Sequence, residues 1–129
     1  MTKETDARLN KRNLPREIRL SVQAGQAKKA EDIVVLDLRG LSSFTDFFVI
    51  MTGNSTRQNK AVSESIEQAL KGNKQLPLGV EGRGPAEWIL LDYGSFVVHV
   101  FSKQAREYYS LEKLWGDAPR LSWPSPGRS

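Results

Sequence analysis

The stretch WILLDYGSFVVHVF, residues 88–101, decides the fold of this chain. Two apolar runs rich in β-branched and aromatic residues flank the break DYGS, residues 92–95, which has turn chemistry. This pattern predicts a β-hairpin. A two-residue Tyr93-Gly94 loop requires a positive φ at an aromatic residue, so a three-residue loop over 92–94, with only Gly94 left-handed, is the better prediction.

Strand alternation sorts the side chains of the second run into two apolar faces. The first face carries Phe96, Val98 and Val100, and the second carries Val97, His99 and Phe101. The two turn options disagree about which face Trp88 joins. A sheet with one solvated face alternates apolar and polar residues, and neither face here does so. Helices must therefore cover one face, and a second helix layer or another molecule must cover much of the other.

The composition is that of one soluble globular domain. The 129 residues are 39% hydrophobic and 26% charged, which suits a single domain with a real core. The absence of Cys excludes disulfides and thiolate chemistry and fits a reducing compartment. No apolar run approaches the ~18 residues of a membrane span, and the first residues lack the apolar core of a signal peptide. The net charge of +4 permits a polyanionic neighbour such as RNA without requiring one.

Periodicity predicts an alternation of helices and strands along the rest of the chain. The predicted elements are a helix over 15–30, buried strands over 33–38 and 47–52, a helix opened by Ser55 and closed by Gly72, a short edge strand near 76–80, the hairpin, and a helical region from Ser102 with Tyr108, Leu111 and Trp115 on one stripe. This order indicates an α/β single domain with a mixed four- to five-stranded sheet flanked by helices. We expect the domain to span 15–118, between a flexible segment over 1–14 and a disordered tail over 119–129.

The Gly-Asn-Ser junction at 53–55 joins a strand to a helix. Ser55 with Gln58 three residues later forms a capping box. Free N–H groups at such a junction also bind anions, and a closely spaced carboxylate pair after it would indicate metal-assisted nucleotidyl transfer. No such pair follows Ser55, and Asp37 and Asp46 both precede the junction. Capping is therefore the favoured interpretation.

Several residues combine with the hairpin as candidates for binding. His99 is the only histidine, and no nucleophile or carboxylate cluster is placed beside it. A binding role stays open because a polar tip on an apolar face is costly to bury. Asp92 and Tyr93 either shape the turn or contact a partner. Aromatic and basic residues near the end either pack the last helix or anchor an interface: Arg106, Tyr108, Tyr109 and Trp115.

Three stretches, in order, resemble the ribosomal silencing factor family, also called Iojap-related. They are DIVVLDLRGLSSFTDFFVIMTGNSTRQNKAV at 32–62, EGRGPAEWILLDYGSFVVHVF at 81–101 and AREYYSLEKLWGDA at 105–118. The resemblance implies a nucleotidyltransferase-like topology without established catalysis, a cofactor or a metal. It further implies binding to a large-subunit ribosomal protein at the face where the small subunit docks, a block of subunit association, and repression of translation.

The matched motif positions nominate the partner-binding residues. These are Trp88, Leu91, Asp92, Tyr93, His99, Arg106 and Tyr109. Two positions depart from the family's pattern, with Phe47 in place of Tyr and Ser95 in place of Asp. The resemblance leaves open a contact with nearby rRNA and a homodimer off the ribosome. It implies a bacterial cytoplasmic location, with an organelle stroma or matrix as the alternative.

Two other function classes compete with the silencing factor. One is a nucleotide-binding or nucleotidyltransferase-like enzyme, which the Gly-Asn-Ser junction suggests and the missing carboxylate pair opposes. The other is a general RNA-binding module, which the basic charge allows and no aromatic RNA-binding motif supports.

Overall fold

Six strands form one mixed sheet in the computed structural model, which describes residues 9–124. The strands are β1 Glu31–Asp37, β2 Phe47–Gly53, β3 Gly79–Glu81, β4 Trp88–Asp92, β5 Phe96–Ser102 and β6 Arg120–Trp123, and the helices are α1 Arg16–Ala27, α2 Thr56–Gly72, α3 Lys103–Tyr109 and α4 Leu111–Leu114. The spatial order is β3-β4-β5-β2-β1-β6. The β2–β5 pair is parallel and the other neighbours are antiparallel. The predicted α/β class and mixed sheet are confirmed, with six strands instead of four or five.

The hairpin is confirmed, but its turn begins later than either option predicted. The Tyr93 N–H donates to the Phe96 carbonyl over 2.9 Å, so the loop is Gly94-Ser95. Gly94 has φ +86°, and a glycine with positive φ at the first loop position suits a type II′ turn. The Asp92 Oδ1 atom accepts the Gly94 N–H at 2.9 Å. This arrangement makes Tyr93 the residue directly after β4, where its ring stacks on Phe96 at 4.9 Å between centroids.

The sheet has two apolar faces, as the alternation of β5 predicted. The first face, with Phe96, Val98 and Val100, belongs to the core cluster that includes side chains of α1 and α2. Trp88 joins the second face, because β4–β5 pairing sets it opposite Phe101. On that face the chain supplies its own second layer, through Ala105 of α3, Leu111 of α4 and the following Trp115. This layer leaves Trp88 and Leu90 of β4 partly exposed.

Helix α2 begins as predicted and ends differently. The Ser55 hydroxyl accepts the Gln58 N–H at 3.0 Å. The Gln58 side chain accepts the Asn54 N–H at 2.6 Å instead of the Ser55 N–H, and its amide donates to two carbonyls at the end of α1. Gly72 is wrong as the residue after the helix, because the helix includes it. Lys74 takes the left-handed conformation instead, with φ +61°.

The last helical region is broken in two. Ser110 has φ +47°, which separates α3 from α4. The break turns Tyr108 outward, with 81% of it exposed. The predicted stripe is therefore wrong for Tyr108, while Leu111 and Trp115 pack on the second face.

Both ends of the domain extend further than predicted. Leu9 and Leu14 are buried in the core, so the flexible segment predicted over 1–14 is wrong for residues 9–14. The disordered tail predicted over 119–129 is wrong for Arg120–Trp123, which pairs with β1. Residues 1–8 and 125–129 lie outside the described residues. No helix in residues 9–124 has the length and apolarity to cross a bilayer.

Candidate partner-binding face

Predicted site residues from separate parts of the sequence meet on the second face. Trp88 of β4 donates its indole N–H to His99 Nδ1 on β5 at 3.0 Å. The Trp88 ring lies 4.5 Å from that of Tyr109 on α3 and 4.9 Å from that of Phe101, between centroids. Strand register explains the cluster, since Trp88 pairs with Phe101 and Leu90 with His99. We call these five residues the aromatic face.

His99 forms the floor of the aromatic face. Only 3% of the residue is exposed, and the Phe48 ring meets the imidazole in a T-shaped contact at 4.4 Å. Burial lowers the pKa of His99 to about 3, so the ring is neutral at pH 7. Because Nδ1 accepts the indole N–H of Trp88, the ring proton is on Nε2. Nε2 is buried and has no hydrogen-bond partner among the described residues.

The upper part of the aromatic face is open to solvent. Tyr109 is 49% exposed, and Tyr108 extends the face through a T-shaped ring contact at 5.0 Å. Leu114 of α4 is also exposed. Exposed aromatic groups that lie in contact, as Tyr108 and Tyr109 do, are typical of interaction surfaces. Trp and Tyr are also residue types that anchor protein interfaces.

Arg106 fastens the C-terminal layer to the sheet. Its side chain is 13% exposed. The guanidinium donates to the Asp32 carbonyl at 2.7 Å and to the Thr52 hydroxyl at 2.8 Å. It also holds both carboxylate oxygens of Glu112, at 2.9 and 3.0 Å. This hydrogen bonding lowers the pKa of Glu112, which Arg120 also contacts. Because its hydrogen bonds are internal, Arg106 acts in this structure as a clamp.

The clamp forms part of a polar groove between α3, α4 and the β1–β6 edge. The groove has a volume of about 670 Å³ and contains charged side chains of both signs. Lys103 and Lys113 lie on one wall, and Ser122 and Trp123 on the other. Arg106 and Arg120 share the Glu112 carboxylate. The lining has four Lys or Arg side chains and three Asp or Glu side chains, so the groove carries only a small excess of positive charge.

The comparisons with known proteins agree with this architecture. The family described as "Ribosomal silencing factor during starvation" matches residues 11–128. This chain belongs to the ribosomal silencing factor family. The resemblance drawn from the three sequence stretches is thereby confirmed, and the family match extends past both predicted domain limits.

Individual relatives support the family assignment. A ribosomal silencing factor of Halalkalibacterium halodurans is 44% identical over 104 residues, which cover 81% of this chain and 89% of that protein. The fold of this chain matches the crystal structure of a Chromobacterium violaceum protein with a TM-score of 0.76 and 35% sequence identity. The match covers 88% of this chain and 91% of that protein chain. A mouse protein named for mitochondrial assembly of the ribosomal large subunit is 33% identical over 102 residues, 77% of this chain and 45% of that protein.

Other family motif positions lie elsewhere. Leu91 is fully buried on the first face, because alternate residues of β4 point to opposite sides. Leu91 therefore offers no exposed surface to a partner in this structure, and its predicted partner contact stays a prediction. Tyr93 also packs against the first-face core, and burial raises the pKa of its hydroxyl to about 12. Asp92 is partly exposed at the hairpin tip and caps the turn. Partner contacts for Asp92 and Tyr93 remain predictions.

The junction that suggested nucleotidyl transfer has a structural use in this chain. The Ser55 hydroxyl caps α2, and the Asn54 amide donates to Glu31 at 3.3 Å. Asp37 is engaged by Arg39 through both carboxylate oxygens, at 2.9 and 2.8 Å. Among residues 9–124, no group of three or more His, Cys, Asp or Glu side chains is arranged to hold a metal ion.

Sequence reasoning missed two parts of the site. Leu90 and Phe101 complete the aromatic face. Strand alternation had placed Phe101 on this face without nominating it for binding, and the alternation of β4 could have identified Leu90 once Trp88 was placed. The contacts of Arg106 had no comparable signal, because Asp32 and Thr52 lie 74 and 54 residues away in the chain.

Proposed function

We propose that this protein represses translation by binding the large ribosomal subunit and preventing the small subunit from joining. It docks on a ribosomal protein at the joining face, and its volume then occupies space that the small subunit needs. The aromatic face carries this proposal. It offers Trp88 and Tyr109 as anchors on a preformed surface, so little ordering entropy is lost on binding.

The character of the face favours a protein partner over rRNA. Binding to nucleic acid depends on cations that neutralise phosphates, whereas the exposed groups here are aromatic and aliphatic. Apolar, aromatic centres are characteristic of protein–protein contacts. Contacts with rRNA would then be peripheral. Off the ribosome, a second copy of this chain could cover the same face, and such a homodimer would compete with ribosome binding.

A non-enzymatic role is part of the proposal. The buried imidazole, the capping use of Ser55 and the pairing of Asp37 with Arg39 all have structural explanations that do not involve a substrate. No observation on the molecule favours nucleotidyl transfer as a second function. With ribosomes as its target, the protein is expected to work in the cytoplasm.

Subunit joining tests the proposal directly. Purified subunits are mixed with and without the protein and separated on sucrose gradients. Protein added before mixing should reduce the joined-ribosome peak in proportion to its occupancy of large subunits, while protein added to joined ribosomes should have little effect because the site is covered. An unchanged peak at saturating protein, added before mixing, would refute the silencing mechanism.

A substitution in the aromatic face links the effect to this site. Trp88→Ala should weaken large-subunit binding by roughly 30-fold, the loss typical of an interface anchor. Arg57→Ala is the matched control, since Arg57 is exposed on α2, on the opposite side of the sheet. Melting temperatures are compared first, so that lost affinity is not confused with unfolding. Equal binding by both variants would place the contact elsewhere.

A further inference from the structure

We propose that His99 is a positioning residue of the aromatic face. Its Nδ1 atom fixes the orientation of the Trp88 indole, and therefore the surface that a partner meets. This inference rests on the proposed function, because it concerns how the same face binds. It assigns His99 a role through Trp88, in place of the direct partner contact that the sequence suggested.

The structure gives His99 and Trp88 different parts in this face: His99 supports Trp88 from below, and Trp88 is available for contact with a partner. His99 is 3% exposed, so it offers a partner almost no surface, while Trp88 is partly exposed above it. The indole also touches Tyr109 and Phe101, in tilted ring contacts with interplanar angles of 45° and 30°. Aromatic pairs are stable in more than one arrangement, offset-stacked or edge-to-face, so these contacts alone leave alternatives for the indole. A hydrogen bond is directional, and the 3.0 Å bond to His99 selects one of them.

The imidazole is a poor choice for stability alone. Its Nε2 atom is buried without a hydrogen-bond partner among the described residues, and an unpaired buried polar atom is destabilising. A phenyl ring would fill similar space beside Phe48 and Phe101 without that cost. A group that lowers stability is typical of a site selected for function. What His99 has and a phenyl ring lacks is the Nδ1 acceptor, which binds the indole N–H of Trp88.

The same hydrogen bond restricts what Trp88 can offer. Its indole N–H is already donated to His99, so it is not free for an acceptor on the partner. Trp88 therefore presents the apolar surface of its ring. The partner surface against it should be apolar at that point.

Two substitutions separate positioning from packing. His99→Phe keeps an aromatic ring and removes the acceptor, whereas His99→Asn keeps an acceptor near the place of Nδ1 and loses the ring. With isolated large subunits as the probe, His99→Phe should bind roughly 3- to 10-fold more weakly, the effect of losing one hydrogen bond. Its melting temperature should stay close to that of wild type, because the unpaired Nε2 is removed while the Trp88 indole N–H loses its acceptor. His99→Asn should melt lower yet bind closer to wild type. Affinities that follow the order of melting temperatures would overturn the positioning role.

A spectroscopic measurement tests the positioning without any ribosome. In ¹H–¹⁵N spectra of the full chain, the indole N–H of Trp88 should exchange slowly with solvent. In His99→Phe it should exchange faster and shift, while the indole signals of Trp115 and Trp123 stay in place. An unchanged Trp88 signal would overturn the inference. If the wild-type protein fails to bind large subunits, the proposed function fails, and these spectra still decide whether His99 positions Trp88.

Discussion

Burial of one imidazole couples the stability of this fold to pH. The pKa of His99 falls from its ordinary 6.5 to about 3 because the ring is desolvated. Between these values the unfolded chain binds a proton that the folded chain does not, so stability is lost as the pH falls from 6.5 towards 3. At pH 5 the loss should be about 2 kcal/mol, from 1.36 kcal/mol per pKa unit.

Urea unfolding at pH 7 and pH 5 measures this loss. The wild-type protein should lose about 2 kcal/mol more between the two pH values than His99→Phe, which has no imidazole to protonate. Other titrating groups are shared by the two proteins, so their contributions cancel in the comparison. The same pH dependence in both would mean that His99 is not the buried base described here.

The strands of the sheet show which parts of the fold the sequence could predict and which it could not. Short apolar runs gave β1, β2 and the hairpin, because their β-branched and aromatic residues and the turn residues beside them favour buried strands. The sequence could not decide on which face of the sheet Trp88 lies. A one-residue change in turn position moves every side chain of a strand to the other face. Strand β6 was missed because its short, proline-flanked sequence has only Leu121 and Trp123 as apolar signals. It is stabilised by pairing with β1, a partner remote in sequence.

At the level of elements, Arg106 holds α3 and α4 on the sheet. Arg106→Met should cost about 2–3 kcal/mol of folding stability, because the Asp32 carbonyl loses the Arg106 donor and the partly buried Glu112 carboxylate keeps only its contact with Arg120. Arg106→Lys should recover little of this, since an ammonium cannot replace the forked contacts of a guanidinium.

Arg120→Ala provides the control for the clamp. Arg120 contacts the same Glu112 at 3.2 Å but is 50% exposed, so its loss should cost less than about 0.5 kcal/mol. Chemical denaturation compares the three variants, and large-subunit affinity is measured on each at a temperature where it is folded. A stable Arg106→Met protein with reduced affinity would make Arg106 a partner contact, as the sequence first suggested.

At the scale of the whole molecule, charge and surface chemistry point to different partners. The chain carries a net charge of +4, which suits the polyanionic surroundings of a ribosome. Its candidate binding surface, however, is aromatic and includes no cation. Long-range attraction by the net charge would then raise the rate of encounter, while the short-range contact would set the lifetime of the complex.

Salt dependence distinguishes the two contributions. Each neutralised phosphate adds about 0.7–0.9 to the slope of log affinity against log salt, and six or more contacts lose roughly a thousandfold or more between 50 and 200 mM salt. A contact through the aromatic face should instead lose less than about tenfold in large-subunit affinity over that range, because few counterions are released. Sedimentation binding at several salt concentrations gives the slope. A steep slope that Lys103→Ala and Lys113→Ala reduce, and that Trp88→Ala leaves unchanged, would move the contact from the aromatic face to the polar groove and its rRNA neighbours.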